Sequence, residues 1–193
     1  MPDARPQLLS LLVRLSYQEG SFTLSSGAVS DYYIDCRATT LNAQGALLTG
    51  EVVLNLIRSS GWQPDAIGGM TLGADPIVTA TSLLSAQSED YTPIQGFLVR
   101  KAEKSHGMQR QIEGFSQPAA KVVVVDDVCT TGASTMQAIA AIRAVAMQVM
   151  GVICLVAREP SGIANLKAAA APAPVLSVFT VDDLRQHYRS QPR

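Results

Sequence analysis

The hydrophobic and polar positions of the chain predict helices and strands that follow one another in turn. Residues 41–60 carry apolar side chains with the period of a helix, and Gly61 is a typical residue to end it. Residues 121–127 instead contain four valines in succession, a run typical of a strand buried on both faces of a parallel sheet. This alternation predicts an α/β fold with a mainly parallel central sheet flanked by helices.

The same patterns predict the remaining elements. Helices are expected over residues 8–15, 76–85 and 134–149. Strands are expected over residues 66–69, 94–100, 152–157 and 175–180, the last at an edge of the sheet. Residues 21–35 are expected to hold strands and turns, and residues 100–113 a loop, because almost none of the latter is apolar. No element is predicted after Pro160 until residue 175.

Residues 138–157 are apolar enough to resemble a membrane span, but Arg143 and Gln148 interrupt the run. We interpret this stretch as a buried helix, a turn at Gly151 and then a strand. A secretory signal is also disfavoured, because Arg14 interrupts the leucines near the N-terminus. We therefore expect no membrane partner.

The composition limits the size and the partners of the protein. The chain has 193 residues, of which 47% are hydrophobic, enough for one domain with a substantial core. Charged residues make up 16%, and the net charge is −1. This balance argues against broad electrostatic binding to nucleic acid or to an anionic membrane, but not against a small anionic ligand.

The spacing of metal-binding and disulfide-forming residues excludes two common structural devices. Cys36, Cys129 and Cys154 form no C-x-x-C pair, and His106 and His187 are far apart. A structural zinc site or a disulfide framework is therefore not expected. Reduced thiols indicate a cytoplasmic protein.

The most informative segment follows the valine run. The strand ends in two carboxylates, Asp126 and Asp127, and the small residues 130–134 lead into the next helix. At the carboxyl end of a parallel strand, backbone N–H groups, hydroxyls and a helix N-terminus form a phosphate site. The two acids would then bind ribose hydroxyls or a Mg²⁺ ion. The simpler alternative is a helix-capping acid beside a solvated one.

This segment, VVVVDDVCTTGAST, resembles the signature of the type I phosphoribosyltransferases, which bind 5-phosphoribosyl 1-pyrophosphate (PRPP). The resemblance implies their fold in a single domain, residues 1–193, with a small hood from about residues 1–40 and a core of about 41–180. It also implies that Asp126 and Asp127 hold the ribose hydroxyls, while residues 130–134 surround the 5′-phosphate. The PRPP contacts implied in this segment are Asp126, Asp127, Val128, Cys129, Thr130, Thr131, Gly132, Ala133 and Ser134.

Further segments narrow the resemblance to the orotate phosphoribosyltransferases. They read FTLSSGAVSDYYID at 22–35, GGMTLGADPI at 68–77, and FLVRKAEKSHG with IEG within 97–114. They are similar to that family's orotate-side segment, its pyrophosphate-side turn and its basic catalytic loop. Six of the fourteen residues at 100–113 are charged, and the simpler alternative for such a run is a solvated face.

The resemblance implies roles for single residues of the basic loop. Lys104 and His106 would contact the pyrophosphate, and Arg100 and Lys101 would also bind PRPP. In this family the loop reaches across a homodimer, which implies that Lys101 serves the neighbouring site. The catalytic residues implied are Lys104, His106, Asp126 and Asp127. The implied cofactor is Mg²⁺, held mainly by PRPP and water, near the two aspartates.

Fewer residues support the resemblance at the part of the site that would bind orotate. Thr130 and Arg158 match positions that contact orotate, and Tyr33 matches an aromatic residue beside the base. The simpler alternatives are core packing for Tyr32 and Tyr33 and a surface cap for Arg158. Some family members carry Lys where this chain has Ser25 and Gly73, so the contacts of those lysines are in question here.

The reaction implied by the resemblance is transfer of the 5-phosphoribosyl group from PRPP to orotate. Its products are orotidine 5′-phosphate and pyrophosphate, in pyrimidine biosynthesis. Two alternatives stay open from the residues alone. One is a phosphoribosyltransferase for another base, and the other is a non-catalytic PRPP-sensing regulator with the same fold.

Overall fold

A six-stranded sheet forms the centre of the computed structural model, which describes residues 3–23, 27, 29–89, 92–101 and 111–191. Among these residues the strands are β1 (Tyr17–Thr23), β2 (Val29–Ile34), β3 (Ala66–Met70), β4 (Gln95–Val99), β5 (Ile112–Gly114), β6 (Lys121–Cys129), β7 (Gln148–Ala157) and β8 (Val175–Thr180). The helices are α1 (Ala4–Ser16), α2 (Arg37–Thr40), α3 (Ala43–Ser59), α4 (Asp75–Ala86), α5 (Ala133–Ala144), α6 (Pro160–Ala170) and α7 (Val181–Ser190).

The central sheet has the order β5-β4-β3-β6-β7-β8, and β5 is antiparallel to its neighbour β4 while the other pairs are parallel. Val123 and Val125 of β6 pack into a core with α1 and α3. Val122 and Val124 pack into a second core with α5 and α6. All four side chains are at most 1% exposed, so the valine run is buried on both faces, as predicted. The predicted α/β fold is confirmed.

A separate antiparallel hairpin of β1 and β2 stands outside the central sheet. The rings of Tyr17 and Tyr32 stack across it with centroids 6.0 Å apart. Tyr188 of α7 meets Tyr17 edge-on at 5.5 Å, so the last helix packs on this hairpin. Arg158, just after β7, lies over the ring of Tyr32, which places the hairpin beside the carboxyl end of β7.

The turn predicted at Gly151 is wrong. Helix α5 ends at Ala144, the chain turns through Ala146 with φ of 59°, and β7 has begun by Gln148. Gly151 lies inside β7, where a Cβ atom would come within 2.3 Å of the indole of Trp62. The glycine therefore allows a close approach within a strand, while the turn uses an alanine in a backbone region that usually favours glycine.

At two other places the structure contains helices or strands that the sequence patterns did not predict. Strand β5 pairs with β4, so residues 112 and 113 are not part of a loop. Helices α6 and α7 follow Pro160, where only the strand at 175–180 was predicted. That strand is confirmed as β8, at an edge of the sheet. Within the described ranges, no helix is long and apolar enough to cross a membrane.

Candidate active site

A cleft of about 620 Å³ opens at the carboxyl ends of β3 and β6. Its walls come from the end of β2, the turn after β3, the segment after β4, the end of β6 and the residue after β7. Ligands of open α/β sheets bind at this edge because the loops that follow parallel strands meet there. The sequence-predicted residues that line this cleft are Tyr33, Arg100, Lys101, Asp126, Asp127, Val128, Thr130, Ser134 and Arg158.

Two adjacent carboxylates form the floor of the cleft. Asp126 is 8% exposed, and its carboxylate accepts hydrogen bonds from the Thr135 hydroxyl and, at 3.1 Å, from the backbone N–H of Asp127. The Asp127 carboxylate accepts the N–H of Val128 at 2.9 Å. Burial raises the pKa of Asp126 to about 6 and raises the pKa of Asp127 as well. Such costly burial is typical of carboxylates that receive hydroxyl or cation partners from a ligand.

The segment after these acids bends the chain into the first turn of α5. Gly132 has φ of 80°, and a Cβ atom there would come within 2.9 Å of Leu166, so both the backbone and the packing require glycine. Helix α5 has no side-chain cap among the described residues, whereas α1, α3 and α7 each have one. The N–H of Ala133 in this first turn donates to the Thr131 hydroxyl at 3.4 Å, and the next N–H groups of the helix, which lack intrahelical acceptors, are available to an anion.

Not every residue of the signature faces the cleft. Thr130 and Ser134 line it, whereas Thr131, Gly132 and Ala133 do not. Cys129 is fully buried, and a Cβ atom built on Gly162 would lie 3.0 Å from its Sγ. Its side chain therefore packs under the loop.

Arg158 and Tyr33 lie at the end of the cleft near the hairpin. The backbone N–H of Arg158 donates to the carbonyl of Cys129 at 2.8 Å, which joins this residue to the end of β6. Tyr33 is 42% exposed and its ring contacts Phe22 at 5.7 Å, whereas its neighbour Tyr32 is 9% exposed. The alternative of core packing therefore describes Tyr32, and Tyr33 faces the cleft.

The basic loop is described only at its edges. Arg100 lies 3.4 Å from Glu113, and the carbonyl of Lys101 accepts a hydrogen bond from Gln137 of the same chain at 3.0 Å. Lys104 and His106, the two predicted pyrophosphate contacts, lie outside the described residues.

The sequence reasoning missed an ion pair at the rim. Arg37 donates two hydrogen bonds to Asp35, at 2.8 and 2.9 Å, and its charge acts to lower the pKa of Asp127. Gly73 approaches the same carboxylate so closely that a Cβ atom would lie 2.4 Å from Asp127 Oδ1. The segment at 68–77 signalled a ligand turn, but no spacing rule connects it to a residue 54 positions later.

A second, apolar depression of about 710 Å³ lies beside the cleft, between α2, α3 and α4. Four of its leucines are 42–72% exposed: Leu41, Leu47, Leu72 and Leu83. Arg37 and Leu72 line both this apolar surface and the cleft. The two features are therefore continuous.

Known proteins resemble this chain over almost its whole length. No family model matches it. It is 45% identical to the orotate phosphoribosyltransferase of Nostoc sp. over 186 residues, which are 96% of this chain and 87% of the other. Solved structures of the Mycobacterium tuberculosis orotate phosphoribosyltransferase are also similar. The complex with Fe(III) dicitrate has a TM-score of 0.80 at 38% identity, covering 94% of this chain and 98% of that one. The complex with PRPP has a TM-score of 0.76 at 34% identity, covering 94% and 99%.

Proposed function

Because the chain belongs to the orotate phosphoribosyltransferase family, we propose that its cleft binds PRPP over the two aspartates and orotate beside Arg158. The family's reaction transfers the 5-phosphoribosyl group from PRPP to orotate, giving orotidine 5′-phosphate and pyrophosphate in pyrimidine biosynthesis. This main prediction is confirmed over transfer to another base and over a non-catalytic regulator. The assignment of single residues to substrate groups is our proposal.

One observation carries the assignment: Asp126, Asp127, Thr130, Ser134 and Arg158 all open on the same cleft. The carboxylates would accept hydrogen bonds from the 2′- and 3′-hydroxyls of the ribose. Their negative charge would also stabilise the positive charge that develops at the anomeric carbon as pyrophosphate leaves. The complex of the M. tuberculosis relative with PRPP supports a PRPP site in this chain.

The 5′-phosphate would bind at the first turn of α5. Thr130 and Ser134 line the cleft there, and Ser134 belongs to the first turn of the helix, whose N-cap residue Gly132 provides no side-chain cap. A phosphate bound at a helix N-terminus gains from both hydrogen bonds and the helix dipole.

Orotate would bind between Arg158 and Tyr33. Its carboxylate is planar and matches the fork of a guanidinium, which can donate two parallel hydrogen bonds. No carboxylate side chain pairs with Arg158 in the described part of the chain, so its charge remains available to a ligand. The exposed face of Tyr33 would cover the base.

The leaving pyrophosphate would face the basic loop. Arg100 and Lys101 line the cleft, and we keep Lys104 and His106 as the proposed contacts that follow them. Cations on this side would neutralise charge on the departing group, since the pyrophosphate gains negative charge as its bond to the sugar breaks.

The donor set fits Mg²⁺ bound together with substrate. Two adjacent carboxylate groups are hard oxygen ligands, and no cluster of three or more metal-binding side chains occurs among the described residues. Mg²⁺ usually takes one or two protein carboxylates and fills its other positions with water and phosphate. When bound, it would supply further neutralisation of the pyrophosphate.

We also propose a cytoplasmic homodimer in which the apolar surface between α2, α3 and α4 is the contact. Leu72 belongs to both this surface and the cleft, so a second chain there would reach the rim of the site. In that arrangement Lys101 would serve the neighbouring site. Within one chain, Lys101 also lines its own cleft, so the two arrangements need an experiment to separate them.

The reaction is tested by following orotate consumption in the presence of PRPP and Mg²⁺. We expect steady turnover that stops when either substrate is omitted. Retained PRPP binding without orotate consumption would contradict the reaction and favour a regulator.

A further inference from the structure

The guanidinium of Arg158 has few direct supports. Its Nη2 donates to the Ser30 hydroxyl at 3.5 Å, which is the outer limit of a hydrogen bond. Its Nε is buried and has no hydrogen-bond partner among the described residues. It also lies over the ring of Tyr32, whose centroid is 5.1 Å from Arg158 Cζ. The direction of the guanidinium therefore depends mainly on this ring.

Tyr32 also contacts a second guanidinium, which comes from the C-terminal helix. Arg185 of α7 lies with Cζ 5.2 Å from the same ring centroid. Its Nη2 donates to the carboxylate of Asp31 at 3.0 Å, and its Nε lies 4.0 Å from Glu19. Asp31 and Glu19 belong to the β1–β2 hairpin, so Arg185 links α7 to the hairpin at Tyr32.

The two arginines differ in charge balance. Arg185 forms ion pairs with two carboxylates, whereas Arg158 forms none among the described residues. A shallow depression next to the cleft is lined by both Asp31 and Arg158. If Arg185 were removed, the freed carboxylate of Asp31 would become a competing partner for Arg158, because the two residues line the same depression and opposite charges attract.

We propose that Arg185 is a positioning residue for the orotate end of the site. It holds the Tyr32 ring and occupies Asp31, so that the guanidinium of Arg158 stays directed at the cleft. This inference rests on the proposed role of Arg158 in binding the orotate carboxylate. Arg185 itself does not line the cleft. Its loss should weaken orotate binding and leave PRPP binding unchanged, since a bidentate contact requires an aligned guanidinium.

The test measures the KM values for orotate and PRPP and the Tm of the full chain. We expect Arg185→Gln to raise the KM for orotate about fivefold, in the range of a lost cation–π contact, with an unchanged KM for PRPP. Arg189→Gln is the matched control, because Arg189 lies on the same helix and pairs with Glu19 at 3.1 Å, while the α7 guanidinium that lies over Tyr32 is that of Arg185. Arg185→Lys keeps the charge and should restore part of the orotate affinity.

A double-mutant cycle asks whether the effect passes through the ring. In a Tyr32→Leu background, Arg185→Gln should change the KM for orotate less than it does beside the native ring, because the shared contact is already lost and only the release of Asp31 remains. Tyr32→Phe keeps the ring and should retain the full effect of Arg185→Gln. Arg185→Met, which keeps the stem of the side chain, replaces the Gln variant if the latter lowers the Tm.

Each outcome decides the proposal. An unchanged KM for orotate in both Arg185→Gln and Arg185→Met overturns it, and so does an equal rise for both substrates. A full effect in the Tyr32→Leu background overturns the part of the proposal that acts through the ring and assigns the positioning to Asp31 alone. Arg158→Gln separates the proposed orotate contact of Arg158 from the positioning role of Arg185. If Arg158→Gln raises the KM for orotate but the Arg185 variants do not, only the positioning role fails. If Arg158→Gln has no effect, the proposed orotate site fails, and the positioning role fails with it.

Discussion

The two ends of the cleft, called here the ribose end and the orotate end after the ligands proposed for them, are built in opposite ways. The ribose end comes from one continuous segment, β6 to α5, and its acid Asp126 is 8% exposed. The orotate end comes from β2, Arg158 and α7, which lie far apart along the chain. Its supporting ion pair joins Arg185 to Asp31, whose side chain is 74% exposed. Exposed ion pairs contribute about 0.2–1 kcal/mol each, so this end is held by several weak contacts.

This contrast predicts which kinetic constants substitutions at each end should change. A buried carboxylate in the ribose end has few alternative positions, because the strand and the helix on either side fix it. The guanidinium of the orotate end depends on neighbours that water can also solvate. We therefore expect changes at the ribose end to alter reaction rate strongly, and changes around the hairpin to tune affinity for one substrate.

The largest expected effect comes from removing a charge at the ribose end. Asp127→Asn should lower kcat/KM for PRPP about 100-fold, the scale of one lost electrostatic contact in a transition state, while the KM for orotate changes little. Steady-state kinetics with each substrate varied in turn measures both values. Asp182→Asn, at an exposed position on α7, is the control. A similar rise in the KM values for both substrates would contradict the division of the cleft into two ends.

The buried acid should also make stability depend on pH. Because the folded state raises the pKa of Asp126 from 3.8 to about 6, the folded state holds the proton more tightly than the unfolded state. The stabilisation is therefore present below pH 3.8 and is lost as the pH rises through 6. We expect Asp126 to lower the free energy of unfolding by about 2 kcal/mol between pH 4 and pH 7.

Urea unfolding of the ligand-free protein at several pH values measures this loss. The Asp126→Asn variant has no proton to release, so its curve should be flatter over the same interval. Identical pH dependence in the two proteins would mean that Asp126 titrates normally.

The smallest effect concerns the proposed exchange of loops between subunits. Mixing Lys101→Ala chains with Asp126→Asn chains should restore about a quarter of wild-type activity, because half of a random mixture is heterodimer and each heterodimer holds one intact site. Activity is measured after the subunits have been shown to exchange. No gain over the separate variants would assign Lys101 to the site of its own chain.

The ribose end could be predicted from the sequence because it is local. A strand, two acids, a small-residue turn and a helix appear in order, and β6 and α5 reproduce that order in space. The pairing of Arg185 with Tyr32 joins residues 153 positions apart, and no periodicity reveals it. The helix that carries Arg185 was missed, although Thr180 and Asp183 form a capping box that marks its start.

The prediction of a turn at Gly151 was wrong for a related reason. Glycine indicates either a positive φ or a close neighbour, and only the packing of Trp62 shows that the second applies. Gly73 raises the same ambiguity in the sequence. The structure resolves it, because a Cβ atom at Gly73 would meet the Asp127 carboxylate.

Leu72 lines both the cleft and the apolar surface, and this has a consequence for how the enzyme is assayed. If a second chain covers that surface, dilution uncovers it and changes the rim of the cleft at the same moment. The specific activity would then fall as the protein is diluted, with the midpoint at the dissociation constant of the dimer. A higher concentration of the enzyme would then raise the activity of each site, much as an activator does.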